Sequence, residues 1–363
     1  MAEQLLSFLP EELDELMAEL GEPRYRAQQL LQGVYRDGAR DFSEVSTLPR
    51  SLRERLKERL LLDAGLVVRT VVSEDGDTRK ALLRFGDGTL IESVLMQYPE
   101  PGRHPRSTVC VSTQAGCAMG CTFCATGLMG FQRNLEAGEI VAQVLHFARA
   151  LRERGQHVTH VVFMGMGEPL ANYRAMVRAI RILTHPRAFG LSRRHVTVST
   201  VGLVRGIERL TGEGLGVNLA ISLHAPNDEL RRRLIPTAPA QSVASLVAAA
   251  RRFRERTGRR VTFEYVLIEG VNDQLELAEQ LAALLRGTDI HVNLIPLNPT
   301  ASAFRRPSRG RVLAFERALR AQGVNCTVRV EKGTEISAAC GQLRTDEEAA
   351  TRTGAGAMPA APR

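Results

Sequence analysis

The sequence contains no tryptophan, and aromatic residues make up only 5% of its 363 residues. It also has no uninterrupted run of about 18 apolar residues, the length that a helix needs to cross a bilayer. Its first residues, MAEQLLSFLPEEL, lack the basic leader and apolar stretch of a secretory signal. These absences argue against export and membrane insertion. We therefore expect the chain to remain in the cytoplasm, with no membrane partner.

Cysteine is also scarce, with six residues in the whole chain. In a reducing compartment, six cysteines rarely form a disulfide framework, which leaves metal ligation, catalysis or core packing as their functions. Hydrophobic residues make up 44% of the sequence. This is enough for a buried core in one large or two unequal domains.

Three of the cysteines lie together in the run CAMGCTFC, as Cys117, Cys121 and Cys124. Three thiolates on one tight loop can bind three irons of a 4Fe–4S cluster and leave the fourth iron without a protein ligand. The alternatives are inert thiols or a structural zinc site, but zinc needs four ligands, usually from two C-x2-4-C pairs. Because the sequence has no second pair, the triplet favours the iron–sulfur cluster, and an open iron indicates catalysis.

Arginine is plentiful, and the chain has a formal net charge of +8. Guanidinium groups pair with phosphates in a bidentate way, so clustered arginines are typical of proteins that bind a polyanion. The clusters favour a nucleic-acid partner, although charge alone does not separate RNA from duplex DNA, and any one cluster could lie on a solvated helix face. They are Arg193–Arg194, Arg231–Arg233, Arg251, Arg252 and Arg254, Arg259–Arg260, Arg305–Arg306, Arg309 and Arg311.

The chain divides into a helical start, a set of hairpins, a long alternating region and a tail. Residues 1–64 carry amphipathic patterns and predict a helical accessory domain that binds RNA. Residues 65–102 contain strands broken at two Asp/Gly turn signals, which predicts a β-hairpin linker region. Residues 103–344 predict the catalytic core, with a mobile loop around Cys340, and residues 345–363 predict a disordered tail.

Glu92 lies within the last predicted strand of the linker region. Alternation places it on the same face as Leu90, Val94 and Met96, which are apolar. A carboxylate on an apolar face is either a surface residue at a strand edge or a group with a raised pKa that takes part in proton transfer. The pattern alone leaves both interpretations open.

From residue 107 onward, short β-rich runs alternate with helical patterns. Strand–helix alternation at this spacing predicts a parallel sheet, and six or so units predict a full or partial (β/α) barrel. The predicted strands are 157–164, 195–200, 216–223, 261–268, 289–295 and 325–330, and the predicted helices lie near 136–153, 171–184, 242–257, 275–286 and 309–322.

Polar residues recur where the predicted strands end. Active sites of such barrels gather at the C-terminal ends of the strands, on the side that would also carry the cysteine loop. Each residue alone could be an ordinary turn or cap residue, but their recurrence at one edge favours a binding pocket. They are Glu168, Ser199 and Thr200, Ser222 and His224, and Asn298.

These motifs together resemble a known family. The cysteine triplet, with an aromatic residue before its last cysteine, is similar to the signature of radical S-adenosylmethionine (SAM) enzymes, in which the open iron binds SAM. The whole set closely resembles the bacterial 23S ribosomal RNA adenine-C2 methyltransferases, from the N-terminal helices to Leu343. The motifs that carry the resemblance are GCAMGCTFCATG, FMGMGEPLAN, SLHAP, HVNLIPLNP and AACGQL.

The resemblance implies a fold and a set of site residues. The fold would be an α/β radical SAM partial (β/α) barrel with an N-terminal helical accessory domain and a small β-hairpin linker region. Cys117, Cys121 and Cys124 would bind one 4Fe–4S cluster. The SAM-binding residues would be Gly167, Glu168, Ser199, Ser222, Leu223, His224 and Asn298.

The resemblance also implies an unusual reaction, because carbon 2 of adenine is electron-poor and has no lone pair with which to attack the methyl group of SAM. One SAM would methylate the Cys340 thiolate, and a second would yield a 5′-deoxyadenosyl radical that takes a hydrogen from that methyl. The resulting radical would add to carbon 2 and tether the RNA to Cys340. Glu92 would accept the carbon-2 proton, and Cys110 would attack the Cys340 sulfur, free the base and leave a disulfide.

The implied partners are 23S ribosomal RNA, transfer RNA as an additional substrate, and an electron donor such as flavodoxin, with the enzyme acting as a monomer. Two other functions stay open: methylation of adenine carbon 8 by a related enzyme, and non-catalytic RNA binding with a structural cluster. Pro169, where the carbon-8 group has alanine, and the helical N-terminus favour carbon 2. A non-catalytic function leaves Cys110 and Cys340 unexplained. Cys326 matches no motif, and we expect it to pack in the core.

Overall fold

A computed structural model of the chain describes residues 3–62, 65–99, 105–236, 241–300 and 302–345. The predicted disordered tail lies outside the described residues, apart from Thr345. Among the described residues, none of the helices combines the length and the apolar character required to cross a membrane. The α-helices are α1 (Pro10–Glu19), α2 (Tyr25–Leu31), α3 (Arg50–Arg59), α4 (Ala125–Leu128), α5 (Ala137–Arg152), α6 (Tyr173–Thr184), α7 (Val204–Gly212), α8 (Asp228–Leu234), α9 (Val243–Thr257), α10 (Leu275–Leu285) and α11 (Arg309–Ala321).

Short 3-10 and π turns supplement these helices. The 3-10 turns are Leu5–Ser7, Phe42–Glu44 and Arg193–His195, and a π-helix follows α2 at Gln32–Asp37. The strands are β1 (Glu3–Gln4), β2 (Leu60–Leu61), β3 (Gly65–Val72), β4 (Thr78–Phe85), β5 (Leu90–Tyr98), β6 (Arg106–Cys110), β7 (Gln114–Gly116), β8 (Phe131–Asn134), β9 (His160–Phe163), β10 (Val196–Thr200), β11 (Asn218–Ser222), β12 (Val261–Leu267), β13 (His291–Pro296) and β14 (Cys326–Val328).

Ten of the strands form one sheet in the order β14-β13-β12-β11-β10-β9-β6-β5-β4-β3. Strands β6 and β9 to β14 pair in parallel, whereas β3 to β6 pair in antiparallel fashion. Helices return the chain between successive parallel strands, which confirms the predicted α/β fold and its partial (β/α) barrel. Cys326 in β14 is 2% exposed and packs in the main core, as predicted.

Strand β6 and helices α7 and α8 of this barrel were not predicted from the sequence. Four of the five residues of β6 are buried, because it lies between β5 and β9. A strand buried on both faces lacks the alternation by which strands are recognised. Helices α7 and α8 have nine and seven residues, too few for a convincing apolar repeat.

The N-terminal helices form as predicted and are tied to the barrel. Helix α1 begins at Pro10, a residue favoured at the first helical position. Leu13 and Met17 on its inner face are buried. Asp14 on the same helix accepts hydrogen bonds from both terminal guanidinium nitrogens of Arg187, at 2.6 and 2.8 Å. This paired contact fixes α1 to the segment that leads into β10.

The hairpins β3–β4 and β4–β5 turn at the predicted Asp/Gly signals. Gly76 and Gly88 have φ angles of 74° and 84°, in the left-handed region that glycine adopts without strain. Strand β5, which carries Glu92, lies directly beside β6, and its Val94 is paired with Cys110. The hairpins therefore bring Glu92 next to the first parallel strand of the barrel.

Candidate active site

The C-terminal ends of the parallel strands meet at one edge of the sheet, and most of the predicted site residues lie there. Ser222 is the last residue of β11, Ser199 is the penultimate residue of β10, and Glu168 follows β9. A cavity of about 170 Å³ lies between these strand ends. Its walls include Cys117, Cys121, Cys124, Gly167, Glu168, Ser199, Ser222, His224, Asn298 and Cys340.

The loop that carries the three cysteines is held at both ends by backbone hydrogen bonds. The amide of Cys117 donates to the carbonyl of Gly130 at 2.8 Å, and the amide of Ala125 donates to the carbonyl of Gly341 at 2.7 Å. Gly116 has a φ of 68°, and a Cβ there would lie 1.9 Å from the Gly130 carbonyl oxygen. The loop therefore requires glycine before its first cysteine, and its far end contacts the C-terminal segment.

The three cysteines are half-buried, and the partial removal of water from their thiols controls their protonation. Burial raises the pKa of Cys117 to about 11 and also raises the pKa of Cys121 and Cys124. Such thiols stay protonated unless a cation compensates the thiolate charge, as iron does. No three His, Cys, Asp or Glu side chains in the described ranges surround a point where one metal ion could bind. A 4Fe–4S cluster makes a different demand, because each thiolate binds a separate iron.

Glu168 is a buried carboxylate beside the cysteine loop. Its Oε2 accepts from the amide of Val201 at 2.7 Å, and its Oε1 accepts from the amide of Leu170 at 3.0 Å. Burial raises the pKa of Glu168 to about 7, although these hydrogen bonds act in the opposite direction. A ligand ammonium group would offset the cost of burying this charge. The preceding Gly167 has a φ of 99°, and a Cβ there would lie 2.5 Å from the side chain of Gln114.

His224 has a φ of 59°, a strained conformation for a residue other than glycine. Its Nδ1 accepts from the amide of Val266 at 3.0 Å, and its carbonyl accepts from Nδ2 of Asn272 at 2.9 Å. Burial lowers the pKa of His224 to about 3, so the ring is neutral and carries its proton on Nε2. The neighbouring Leu223 does not line the cavity, because its side chain is fully buried in the core.

Asn298 connects the cavity to the C-terminal segment. Its Nδ2 donates to the carbonyl of Cys340 at 3.0 Å. Its Oδ1 is buried and has no hydrogen-bond partner among the described residues. A buried acceptor without a donor costs free energy, and a ligand that carries amino or hydroxyl groups would satisfy it. Together with the sulfur donors and Glu168, this open acceptor fits SAM, whose ammonium, ribose and adenine groups all supply donors.

Cys110 and Cys340 line a second cavity of about 80 Å³, which shares Cys124 and Asn298 with the first. Both are free thiols. Burial, followed by the charge of Cys340, raises the pKa of Cys110 to about 12, whereas Arg329 lowers it. Cys340 is also the main cause that raises the pKa of Arg329. The two predicted redox cysteines therefore lie together beside the cysteine loop, with a guanidinium near both.

Glu92 is buried in β5, with 6% of its surface exposed. Its Oε1 lies 2.8 Å from Nζ of Lys80, and its Oε2 accepts from the amide of Arg344 at 2.9 Å. The interpretation of Glu92 as a surface residue at a strand edge is wrong, because β5 pairs with β4 on one side and β6 on the other. Glu92 is not among the residues that line the two cavities.

Three charged residues of this region, Lys80, Glu264 and Arg329, were not predicted as site residues from the sequence. Glu264 lines the larger cavity and accepts from Nδ2 of Asn293 at 2.7 Å. Burial raises the pKa of Glu264, and Arg329 opposes that effect. For Glu264 and Arg329, the available signal was a charged residue inside an apolar β-rich run. These runs are FEY in β12 and VRV at the end of β14. The same signal singled out Glu92.

Many arginines of the predicted RNA-binding clusters make contacts within the chain. Arg231 is 4% exposed and donates to the carbonyls of Val201 and Ser222. Exposed ion pairs contribute little stability, but they reduce the charge available to a partner. The ion pairs are Arg252 with Glu208, Arg254 with Asp289, Arg305 with Glu269, Arg306 with Glu331 and Arg311 with Asp273.

Two known families match separate parts of the chain. Residues 3–62 match the Ribosomal RNA large subunit methyltransferase N-terminal domain, and residues 111–282 match the Radical SAM superfamily. The first match covers the N-terminal helices. The second runs from the end of β6 into α10 and includes the cysteine loop.

Individual relatives match nearly the whole chain. The Ribosomal RNA large subunit methyltransferase N of Nitrosopumilus maritimus is 58% identical over 94% of this chain and 98% of its own length. A Symbiobacterium thermophilum protein named "Probable dual-specificity RNA methyltransferase RlmN" is 49% identical over 92% of this chain and 89% of its own length. The crystal structure of a radical SAM methyltransferase from Sphaerobacter thermophilus is 52% identical, covers 94% of this chain and 99% of that chain, and has a TM-score of 0.91. The chain therefore belongs to the ribosomal RNA large subunit methyltransferase N family of radical SAM RNA methyltransferases.

Proposed function

We propose that the protein methylates carbon 2 of an adenine in 23S ribosomal RNA, with Cys340 carrying the one-carbon group. The observation that carries the proposal is that Cys110, Cys340 and Cys124 line one cavity. In this proposal Cys340 accepts the methyl group, Cys110 resolves the bond that Cys340 later forms, and Cys124 is a cluster ligand. All three are needed close together if the one-carbon group passes through Cys340.

The cofactor sites in this proposal use the donor sets described above. Cys117, Cys121 and Cys124 hold one 4Fe–4S cluster. When bound, the cluster and two molecules of SAM per turnover supply a methyl group and a radical that can abstract a hydrogen atom. Glu168 binds the ammonium group of SAM, and Asn298 offers its open acceptor. The remaining SAM-binding residues in the proposal are Gly167, Ser199, Ser222 and His224, together with Leu223, which would act through its backbone because its side chain is buried in the core.

The chain's own residues perform the steps on the base. The Cys340 sulfur accepts the methyl group, and after that methyl has lost a hydrogen atom, the methylene on sulfur bonds to carbon 2 of adenine. Glu92 takes the proton that carbon 2 releases. The Sγ thiolate of Cys110 then attacks Sγ of Cys340, and the bond between that sulfur and the methylene carbon breaks. The released carbon takes a proton to become the methyl group, and the unpaired electron of the adduct would pass to the oxidised iron–sulfur centre. An external reductant supplies the two electrons that open the Cys110–Cys340 disulfide. Arg329 lowers the pKa of Cys110 and so favours the attacking thiolate.

The proposal includes movement of the loop around Cys340. The amide of Arg344 occupies one oxygen of Glu92, so that oxygen becomes available to a base when the loop shifts. We place an RNA-binding accessory domain at residues 1–64, a hairpin linker at 65–102 and the catalytic core at 103–344. The Symbiobacterium relative is named a "dual-specificity" RNA methyltransferase. This name supports transfer RNA as an additional substrate. The enzyme would act as a monomer and take electrons from a donor such as flavodoxin.

Nucleoside analysis tests the proposal. Ribosomal RNA is incubated with the protein, SAM and a reductant, then digested to nucleosides that are separated by retention and mass. We expect 2-methyladenosine, which disappears without reductant or SAM. The isomer methylated at carbon 8 would assign the protein to the related activity, and the absence of both products would overturn the proposal.

A further inference from the structure

A larger cavity lies at the opposite edge of the sheet from the candidate active site. It measures about 430 Å³. Its walls include Thr159 and His195, which come directly before β9 and β10, so it lies at the N-terminal ends of the parallel strands. Tyr35 and Arg36 close it from the N-terminal helical part, and the second half of α5 forms another wall. The reaction proposed above uses none of these residues.

The walls of this basic cavity are cationic. They include the guanidinium groups of Arg36, Arg149 and Arg152 beside the rings of His157 and His195, and none of the lining residues is acidic. Neither Arg36 nor Arg152 forms an ion pair with another described residue. The guanidinium groups of Arg36 and Arg152 line one cavity and repel each other, so an anion bound there would lower their electrostatic energy.

Two half-buried histidines near the cavity, His146 and His160, have lowered pKa values. Burial, followed by the charges of Arg149 and Arg40, lowers the pKa of His146 to about 4. The ring of His160 stacks on that of His195, with 4.3 Å between centroids. Burial, followed by the charge of His195, lowers the pKa of His160 to about 4. Arg149 and His195, which line the cavity, therefore each lower the pKa of a neighbouring ring outside it.

Hydrogen bonds across the cavity hold its walls in place. Arg149 donates from Nε to the carbonyl of Gly38 at 3.1 Å and from Nη2 to the carbonyl of Ala39 at 2.7 Å. Arg36 donates to the carbonyl of Pro186 at 3.4 Å. These contacts join the N-terminal helical part to the barrel on two sides. The cavity is thus formed before a ligand arrives, which lowers the entropic cost of binding.

The cavity also offers aromatic groups. Tyr35 and Phe189 line it together with apolar residues of α5. The hydroxyl of Tyr35 is buried and has no hydrogen-bond partner among the described residues. A ligand oxygen would supply the missing acceptor, and an aromatic face can stack on a base or ribose. Cationic, aromatic and hydrogen-bonding groups together match a nucleotide better than a simple ion.

We propose that the basic cavity binds phosphate and ribose groups of an RNA strand, as a second contact remote from the adenine that is methylated. The inference rests on the proposed function, because an RNA methyltransferase brings a long polyanion to its surface. Contacts with the backbone position an RNA without selecting its sequence. A free nucleotide or inorganic phosphate presents the same chemistry, so the experiment must separate these sources.

Salt-dependent RNA binding, measured without SAM or reductant, tests the inference. Each lost contact with a phosphate of single-stranded RNA should reduce the slope of log affinity against log salt by roughly 0.7. The double variant Arg36→Ala/Arg152→Ala should therefore lower the slope by about 1.4, whereas Arg36→Lys/Arg152→Lys should keep most of it. Arg317→Ala is the matched control, since Arg317 is exposed on α11 and does not line the cavity.

An unchanged slope in a stably folded double alanine variant overturns the inference. Inorganic phosphate serves as the second probe: if only wild type binds it while the RNA slope is equal in both proteins, the cavity takes a small free anion. If the double variant unfolds, wild-type protein is crosslinked instead to RNA that carries a photoreactive nucleotide. We expect the crosslink on a peptide that contains Tyr35 or Phe189. The absence of such a peptide would contradict the inference. Failure of the proposed function would instead appear as missing 2-methyladenosine with wild-type protein.

Discussion

The ammonium nitrogen of Lys80 lies 2.8 Å from Oε1 of Glu92, and the two side chains are only 13% and 7% exposed. The same ammonium donates to the carbonyl of Ser337 at 3.2 Å, while the other oxygen of Glu92 accepts from the amide of Arg344. One buried ion pair therefore joins β4 and β5 to the C-terminal segment on both sides of Cys340. It holds the proposed proton acceptor and the proposed methyl carrier in one arrangement.

Lys80→Met should reduce the free energy of unfolding by about 3 kcal/mol, because it leaves the Glu92 carboxylate buried without its counter-charge. The double variant Lys80→Met/Glu92→Gln should recover most of that loss, since neither charge remains. Chemical denaturation of both variants and wild type measures the difference. Equal destabilisation of the single and double variants would show that the pair is not energetically coupled.

Replacement of Cys117, Cys121 or Cys124 by alanine should abolish SAM cleavage, because each change removes one of the three proposed thiolate ligands. After anaerobic reconstitution, the variants should contain less iron and produce no 5′-deoxyadenosine above background. Cys326→Ala is the control, since this thiol is buried in the core and should not affect iron content. A triplet variant that retains its iron and still cleaves SAM contradicts the assignment.

Cys110→Ala and Cys340→Ala should fail in different ways, because the proposal gives the two thiols different steps. Cys340→Ala should yield neither product nor adduct. Cys110→Ala should trap the RNA on Cys340, since no thiolate is placed to release it. The trapped protein from bacterial cells should show nuclease-sensitive absorbance at the nucleic-acid maximum that survives denaturation.

The double variant Cys110→Ala/Cys340→Ala is the control for this trap and should carry no RNA. The proposed resolution step is falsified if Cys110→Ala protein is free of RNA and transfers methyl groups at the normal rate.

SAM binding should weaken as the pH falls through about 7, the pKa of Glu168 in the SAM-free protein. Below that pH, Glu168 is protonated and neutral, so the ion pair with the ammonium group of SAM is lost. Above that pH, the carboxylate is charged and the affinity for SAM is highest, until the amino group of SAM loses its own proton at about pH 8. The dissociation constant of the cluster-loaded protein, measured between about pH 5 and 7, checks the direction.

Glu168→Gln removes the titrating group while it keeps the shape of the side chain. This variant should bind SAM more weakly at neutral pH and show little change in affinity over the acidic range. The same acid-dependent loss in the glutamine variant would assign the titration to another group.

Only some of the individual site residues could be recognised from local patterns. The cysteine triplet lies within one loop, so its spacing alone indicates three ligands. Glu168 and Ser222 follow recognisable β-rich runs, and parallel strands place their C-terminal ends at the same edge of a sheet. The partners of these residues could not be predicted in the same way. Glu92 meets the amide of Arg344 across 252 residues of sequence, and no local pattern encodes that distance.

The basic cavity is a further example of what sequence patterns miss. The arginine clusters drew attention to runs such as Arg251, Arg252 and Arg254, yet two of these arginines form ion pairs within the chain. Arg36 and Arg152 lie outside any such cluster and line one cavity only because the N-terminal helical part packs on α5. Charge density along the chain therefore differs from charge density in space.

Local sequence patterns were enough to predict the alternation of strands and helices, the glycine turns of the hairpins and the grouping of three cysteines on one loop, because each depends on residues within one turn, strand or loop. Tertiary structure alone decided that Lys80 is the counter-charge of Glu92, that Arg329 lies near Cys110 and Cys340, and that β6 is a strand. These relationships depend on which surfaces pack together and in which register. Packing between distant segments sets them, and the local order of residues does not.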